Sequence, residues 1–268
     1  MNTTFGFIGT GNMGSALARS AAKTLKSQQL LLSDSYAPVA ETVAAELGCQ
    51  AVSVETVAQT ADFIFLGVKP QVMQTMLGGI APILKNRNDG FVLVSMAAGV
   101  AIADIRCMAG GDYPVIRIMP NIPVSVGGGV ILFDATQNVS EDAIAYFQSV
   151  MSQAGLVDRL PEKLIDAGSA LSGCGPAFVS LFVEALADGA VACGLPRAQA
   201  LKFAAQTVEG TAKMLLESGQ HPGQLKDAVC SPGGSTIAGV AALEQGAFRA
   251  SIMEAVASAY QRTLELGK

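Results

Sequence analysis

Two stretches of this chain combine residue types and spacings that can do chemistry. The first is Gly9-Thr10-Gly11-Asn12-Met13-Gly14. It follows a short apolar run, Thr4–Ile8, and opens an Ala-rich run over 13–26. In such a strand–turn–helix setting the first glycine permits a tight turn. The second leaves room for a pyrophosphate against the backbone, the third lets the helix pack closely, and the helix N-terminus favours the phosphate charge. The pattern predicts a dinucleotide cradle, with a plain Gly-rich turn as the alternative. The second stretch is Val229-Cys-Ser-Pro-Gly-Gly-Ser-Thr236, ahead of an apolar helical run. Gly233 and Gly234 expose backbone N–H groups, and Ser231, Ser235 and Thr236 add hydroxyls. That combination suits a small carboxylate. An ordinary N-cap on the following helix would use the same residues.

Further candidates sit where strands are expected to end. Asp34 lies twenty residues past Gly14, between Ser33 and Ser35. An acidic side chain there can hold both ribose hydroxyls of NAD and repel the 2′-phosphate of NADP. The flanking hydroxyls could instead bind a phosphate, and a turn or cap role for Asp34 stays open. Val68-Lys69-Pro70, Met96-Ala97-Ala98-Gly99 and Met119-Pro120-Asn121 follow three other strand-like runs. Doubly wound folds bind ligands at carboxyl ends of strands, and small residues there let backbone groups touch a cofactor. Lys69 reads as an exposed loop lysine before it reads as a catalytic cation. Asn121 either presents its amide to the nicotinamide end or is a turn residue. Leu171-Ser-Gly-Cys-Gly-Pro-Ala177, with Cys174 between two glycines, suggests close backbone packing or a ligand approach, packing being the first reading. His221, the single histidine, sits in the turn Gly219-Gln-His-Pro-Gly223 and reads as solvated.

Composition narrows the classes. The 268 residues are half hydrophobic and only 15% charged, which indicates a folded chain with room for two domains. A net charge of −5, no Trp and 6% aromatics argue against a nucleic-acid partner. One histidine argues against a multi-His metal site, and no metal is expected. The five cysteines, Cys49, Cys107, Cys174, Cys193 and Cys230, are scattered without a Cys-x-x-Cys pair, which disfavours a disulfide framework or zinc ribbon. The first basic residue is Arg19, so no signal peptide is expected. The apolar stretches 91–105 and 178–195 each carry acidic residues and fall short of a spanning segment. A cytoplasmic protein without a membrane partner is the expectation.

The elements that must position these residues follow from patterning. Strands are expected at Thr4–Ile8, Leu30–Ser33, Ala51–Val54, Asp62–Leu66, Phe91–Ser95, Val115–Ile118 and Gly129–Phe133. They are apolar throughout rather than alternating, the mark of a parallel sheet covered on both faces. Interleaved helices predict an α/β, doubly wound (Rossmann) domain over 1–160. Residues 161–268 show no convincing strand and predict an all-helical domain. In its helix opening at Pro196, Leu201, Ala204, Ala205, Val208, Ala212, Leu215 and Leu216 form one stripe. Its small apolar surfaces suit burial against a partner subunit.

Taken together, the chain resembles pyrroline-5-carboxylate reductases over essentially its full length. The resemblance rests on Phe7–Gly14, Val68-Lys-Pro70, Met119-Pro-Asn121, Leu171–Ala177, and Leu225-Lys-Asp-Ala-Val-Cys-Ser-Pro-Gly-Gly-Ser-Thr236 running on to Leu243-Glu244. It implies NAD(P)H as reductant and 1-pyrroline-5-carboxylate as substrate, with L-proline as product. It also implies self-association through the helical domain. The substrate carboxylate would lie on Ser231, Gly233, Gly234, Ser235 and Thr236, with the Thr236 hydroxyl near the ring nitrogen as the catalytic contact. The cofactor would lie on Gly9, Gly11, Asn12, Met13, Gly14, Ser33, Asp34, Val68, Lys69, Pro70, Ala97, Ala98 and Asn121. In such a dimer, the substrate loop of one chain can face the cofactor domain of the other. Two positions depart from the family pattern. Cys174 stands where Ser is more usual, and Asp34 stands where many relatives have Ser, Thr or a neutral residue. A 3-hydroxyacid dehydrogenase shares this layout but needs a catalytic helix Lys near an Asn. Only Lys202 and Lys213 are on offer as such, and Asn138 is the only Asn beyond residue 122. A non-catalytic dinucleotide sensor gives no reason for the Ser231–Thr236 loop.

Overall fold

The computed structural model describes residues 3–266. Strands and helices alternate through the first part: β1 (Phe5–Ile8), α1 (Asn12–Ala22), β2 (Leu30–Ser33), α2 (Ala37–Leu47), β3 (Gln50–Ala51), α3 (Val54–Thr60), β4 (Phe63–Leu66), α4 (Pro70–Asn86), β5 (Val92–Ser95), α5 (Ile102–Ala109), β6 (Val115–Pro120), β7 (Gly129–Ala135), α6 (Glu141–Met151) and β8 (Gly155–Arg159). The rest is helical: α7 (Glu162–Ser172), α8 (Gly175–Ala192), α9 (Arg197–Ser218), α10 (Pro222–Ala228), α11 (Ser235–Gln245) and α12 (Phe248–Leu266).

The strands form one sheet in the order β3-β2-β1-β4-β5-β6-β7-β8. The chain steps outward from β1 through β2 and β3, then returns to β4 on the other side of β1. That reversal is the topological switch point, where the carboxyl ends of β1 and β4 open a crevice. The apolar runs explain the layering. Phe5, Phe7, Phe65, Phe133 and Phe147 pack on one face, with the Phe7 and Phe65 rings stacked at 4.4 Å. Ile64, Leu66, Met73, Leu77 and Ile105 pack on the other.

Three details depart from the sequence expectation. The sheet is not wholly parallel, because β6 and β7 pair antiparallel. Their connection, residues 121–128, is too short for a crossover and turns back on Gly127 at φ 77°. The strand expected over 51–54 shrinks to Gln50–Ala51. The Ser53 hydroxyl accepts the Thr56 N–H at 3.2 Å and starts α3 at Val54. Finally, β8 is an edge strand without a sequence counterpart.

By packing, the chain divides into two units, Met1–Gly173 with Tyr260–Lys268, and Cys174–Ala259. Strands end near residue 160, but the packing division comes later. Ile165 of α7 is buried against Met119 and Leu132 of the sheet, which keeps α7 with the first unit. Within the second unit, α8 and α9 bury only Ala187, Ala200 and Ala204 between them. The Phe182 and Phe248 rings meet at 5.7 Å. Large apolar side chains stay open: Leu181 is 67% exposed, Phe203 55% and Leu216 83%. The α9 stripe read from the sequence is therefore mostly uncovered within one chain. Residues 162–192 are long and apolar enough to cross a membrane by length and composition; an 18-residue window within them has a mean hydropathy of 1.5 and is 11% buried within the chain.

Candidate active site

The Gly-rich turn joins β1 to α1. Gly9 has φ +94°, and a Cβ there would lie 2.6 Å from the Gly67 carbonyl at the end of β4. A Cβ on Gly14 would sit on the Gly9 carbonyl oxygen. Both glycines are therefore required by the protein's own packing. Gly11 is different. Its φ is −63°, and a Cβ there would meet nothing within 4 Å. Nothing in the chain demands a glycine at that place, so the open space is room for something that approaches the backbone from outside. No side chain caps α1, which leaves its first N–H groups facing the same space. These features fit a dinucleotide pyrophosphate.

Asp34 closes the turn from the end of β2. One carboxylate oxygen accepts the Thr10 N–H at 2.7 Å and the Thr10 hydroxyl at 3.2 Å. The other accepts the Tyr36 N–H at 3.1 Å and the Ser35 hydroxyl at 3.4 Å. Burial pushes this carboxyl up, but the hydrogen bonds from Tyr36, Thr10 and Ser35 outweigh it and hold the carboxyl below its ordinary value. Asp34 is thus anionic at neutral pH and braces the Gly-rich turn.

A cavity of about 910 Å³ opens at this switch point. Of the residues singled out in the sequence, it brings together Gly9, Gly11, Ser33, Asp34, Ser35, Val68 and Lys69. Sequence reasoning missed Glu41, Val52, Ser53, Val54, Gly67, Val72 and Met76 on its walls. The rule that ligands sit beyond strand carboxyl ends would have found Val52–Val54 after β3 and Gly67 after β4. Gly14 is a packing residue, Asn12 is exposed and Met13 half-buried. Lys69 and Pro70 form the N-terminus of α4. Ala97 is 2% exposed and belongs to the core, whereas Ala98 is exposed.

Asn121, read from the sequence either as a nicotinamide contact or as a turn residue, is buried, and its side chain bonds within the chain. The side-chain oxygen accepts the Val130 N–H at 2.8 Å, and the amide nitrogen donates to the Ser172 carbonyl at 2.9 Å. It pins the carboxyl end of β6 to the last turn of α7. Arg117, on the same strand, pins the first half of that helix. Its guanidinium reaches Glu162 at 3.3 Å and Asp166 at 3.0 Å, and its Nε is buried without a partner.

In the second unit, the loop 229–234 joins α10 to α11. Gly233 takes φ +67°, and the Gly234 N–H donates to the Ser231 carbonyl at 3.0 Å. A Cβ on Gly234 would strike the Ser231 hydroxyl. Gly234 caps α11 with no side-chain hydrogen bond. Ser231, Ser235 and Thr236 are exposed, so their hydroxyls flank an open helix N-terminus. The N-cap alternative is thereby set aside for α11. It holds instead for His221, whose Nδ1 accepts the Gly223 N–H at 3.0 Å at the start of α10. Lys226 pairs with Asp227 at 2.5 Å just upstream of the loop. Cys174 is half-buried at the start of α8.

A doubly wound sheet with this cradle, followed by helices that leave broad apolar surface uncovered, defines a two-domain dinucleotide-dependent oxidoreductase. Comparison with known proteins sharpens that class. The model described as pyrroline-5-carboxylate reductase dimerisation matches residues 162–266, and that described as NADP oxidoreductase, coenzyme F420-dependent, matches residues 4–99. The pyrroline-5-carboxylate reductase of Escherichia coli is 41% identical, covering 100% of both chains. That of Methanosarcina acetivorans is 38% identical, covering 100% of this chain and 99% of its own. The solved structure of a pyrroline-5-carboxylate reductase from Coxiella burnetii superposes with a TM-score of 0.93 at 31% identity, with full coverage of both. That of a Plasmodium falciparum pyrroline carboxylate reductase with NADP bound gives 0.86 at 32%, covering 100% of this chain and 99% of that one. The chain belongs to the pyrroline-5-carboxylate reductase family.

Proposed function

We infer that this chain reduces the C=N bond of 1-pyrroline-5-carboxylate to L-proline with NAD(P)H, the last step of proline biosynthesis. The observation that carries this reading is the Ser231–Thr236 loop. The exposed hydroxyls of Ser231, Ser235 and Thr236 flank a helix N-terminus that no side chain caps, in a chain that also holds the Gly11 cradle. When bound, the nucleotide would supply a hydride for the imine carbon, and the proton on nitrogen would come from solution or through Thr236.

The chain's part is placement and electrostatics. Gly9, Gly11 and Gly14, with the α1 N-terminus, hold the pyrophosphate. Ser33 and Asp34 hold the ribose end, and Val68, Lys69 and Pro70 line the path along β4. Ala98, and Ala97 through its backbone, border the far side of the site. Ser231, Gly233 and Ser235 hold the substrate carboxylate through hydroxyl and N–H donors, Gly234 shapes the loop with its N–H on the Ser231 carbonyl, and the partial positive charge of α11 adds to them. Thr236 approaches the ring nitrogen and orients the imine. A protonated imine is already electrophilic, so a loop without His or an acid side chain suffices. The family assignment and the Asn121 geometry leave the hydroxyacid dehydrogenase alternative without support.

The uncovered faces of α8 and α9 lie within the matched dimerisation region, and a second copy of this chain covers them. This reading puts a homo-oligomer in the cytoplasm, with no nucleic-acid or membrane partner. The test is a steady-state assay with pyrroline-5-carboxylate and each reduced nucleotide in parallel. Nucleotide oxidation matched by proline formation is expected. No oxidation with either nucleotide overturns the assignment.

A further inference from the structure

We propose that Asp34 makes this protein an NADH-preferring reductase that discriminates against the 2′-phosphate of NADPH. The proposal rests on the reductase reading and deepens it at the cofactor. Three observations support it.

The first is the charge of the cavity. Among the described residues its walls carry the carboxylates of Asp34 and Glu41 against one cation, Lys69. Among the described residues no arginine lines it, so they offer no bidentate guanidinium to recognise a phosphate dianion. The second is the fixing of Asp34. Bonds from Thr10, Ser35 and Tyr36 hold both of its oxygens at the end of β2. The carboxylate cannot swing aside for a phosphate without giving up the brace on the Gly-rich turn. The third is the N-terminus of α2, which would otherwise be a ready anion site. Asp34 has already taken the Tyr36 N–H, Pro38 has none, and the Val39 N–H donates to the Tyr36 carbonyl at 3.0 Å. A neutral ribose edge finds an acceptor here, whereas a phosphate finds an anion and few free donors.

The experiment is calorimetric titration of the full-length oligomer with NADH and with NADPH, in the wild type and in Asp34→Asn. The Asn side chain keeps a carbonyl oxygen for Thr10 and removes the charge. The wild type is expected to bind NADH roughly tenfold or more tightly than NADPH, as for one like-charge contact at a partly exposed site. Asp34→Asn is expected to shrink that ratio severalfold, chiefly by improving NADPH. Equal or tighter binding of NADPH by the wild type overturns the proposal, and so does an unchanged ratio in Asp34→Asn. Should Asp34→Asn fold poorly, Glu41→Gln provides a second reading through the same ratio, because it removes the other wall charge without touching the Gly-rich turn. An unchanged ratio there, with equal wild-type affinities, also overturns it. These affinities are read without turnover, so a failure here is distinct from a failure to reduce the imine.

Discussion

Replacing Gly11 with Ala separates what the ligand requires from what the fold requires. A Cβ at Gly11 enters open space, and φ is an ordinary −63°. The substitution costs the folded protein nothing in contacts, and it restricts the unfolded chain. At compatible positions this stabilises by about 0.4–1 kcal/mol. The same methyl occupies the approach to the α1 N–H groups. Hydrogen bonds to charged groups are worth about 1.5–3 kcal/mol each. Displacing the pyrophosphate from one such donor therefore raises the dinucleotide Kd roughly 10- to 100-fold. Gly14→Ala is the counter-case, because its methyl would land on the Gly9 carbonyl oxygen and overpack the turn. It is expected to destabilise by about 1–3 kcal/mol or more. The assay is thermal unfolding of both variants, paired with calorimetric titration of the nucleotide. Gly11→Ala should keep or raise Tm while losing affinity, and Gly14→Ala should lower Tm. A Gly11→Ala protein with wild-type affinity would refute the reasoning, as would one with a clearly lowered Tm.

Other outcomes follow from the same geometry. Thr236→Ala should lower kcat/KM by about 1–3 kcal/mol, the worth of one buried hydrogen bond formed with substrate, with nucleotide Kd unchanged; wild-type kinetics would remove Thr236 from the site. Asn121→Ala strands the Val130 N–H and the Ser172 carbonyl, so it should cost about 1–3 kcal/mol in denaturant unfolding and leave nucleotide Kd unmoved. The reverse pattern would make Asn121 a cofactor contact. Arg117→Met breaks a buried cation from Glu162 and Asp166. Both carboxylates are about a third exposed, so roughly 1–3 kcal/mol is expected, below the cost of a fully buried pair. Asp34 has a folded pKa below its unfolded one, so its stabilisation is complete above the ordinary carboxylate range and is lost as pH falls through the folded value. Tm measured against pH should therefore show a shallower acid limb in Asp34→Asn than in the wild type.

The sequence made the strands of the sheet interior legible because β1, β2, β4 and β5 are buried at every position and apolar at nearly every one, with Ser33 and Ser95 at the ends of β2 and β5 as the polar exceptions. It hid β8 for the opposite reason. Gly155–Arg159 is an edge strand with Leu156, Asp158 and Arg159 exposed, and its apolar content is too thin to show a period. The Gly-rich turn was readable because its chemistry is local. The brace from Asp34 to Thr10 spans 24 residues, and the tie from Asn121 to Ser172 spans 51. Contacts at such separations leave no pattern in a linear sequence, so the tie from Asn121 to Ser172 was not legible there. The exposed face of α9 was visible as a stripe, but an apolar stripe looks alike whether its own chain or a second copy covers it.

The most direct test follows the hydride itself. The protein is incubated with pyrroline-5-carboxylate and a reduced nicotinamide nucleotide carrying deuterium at both C4 positions, and the proline is examined by mass spectrometry and NMR. One deuterium per proline, on the former imine carbon, is the predicted result. Unlabelled proline, or none, would contradict direct hydride transfer from the nucleotide to the imine.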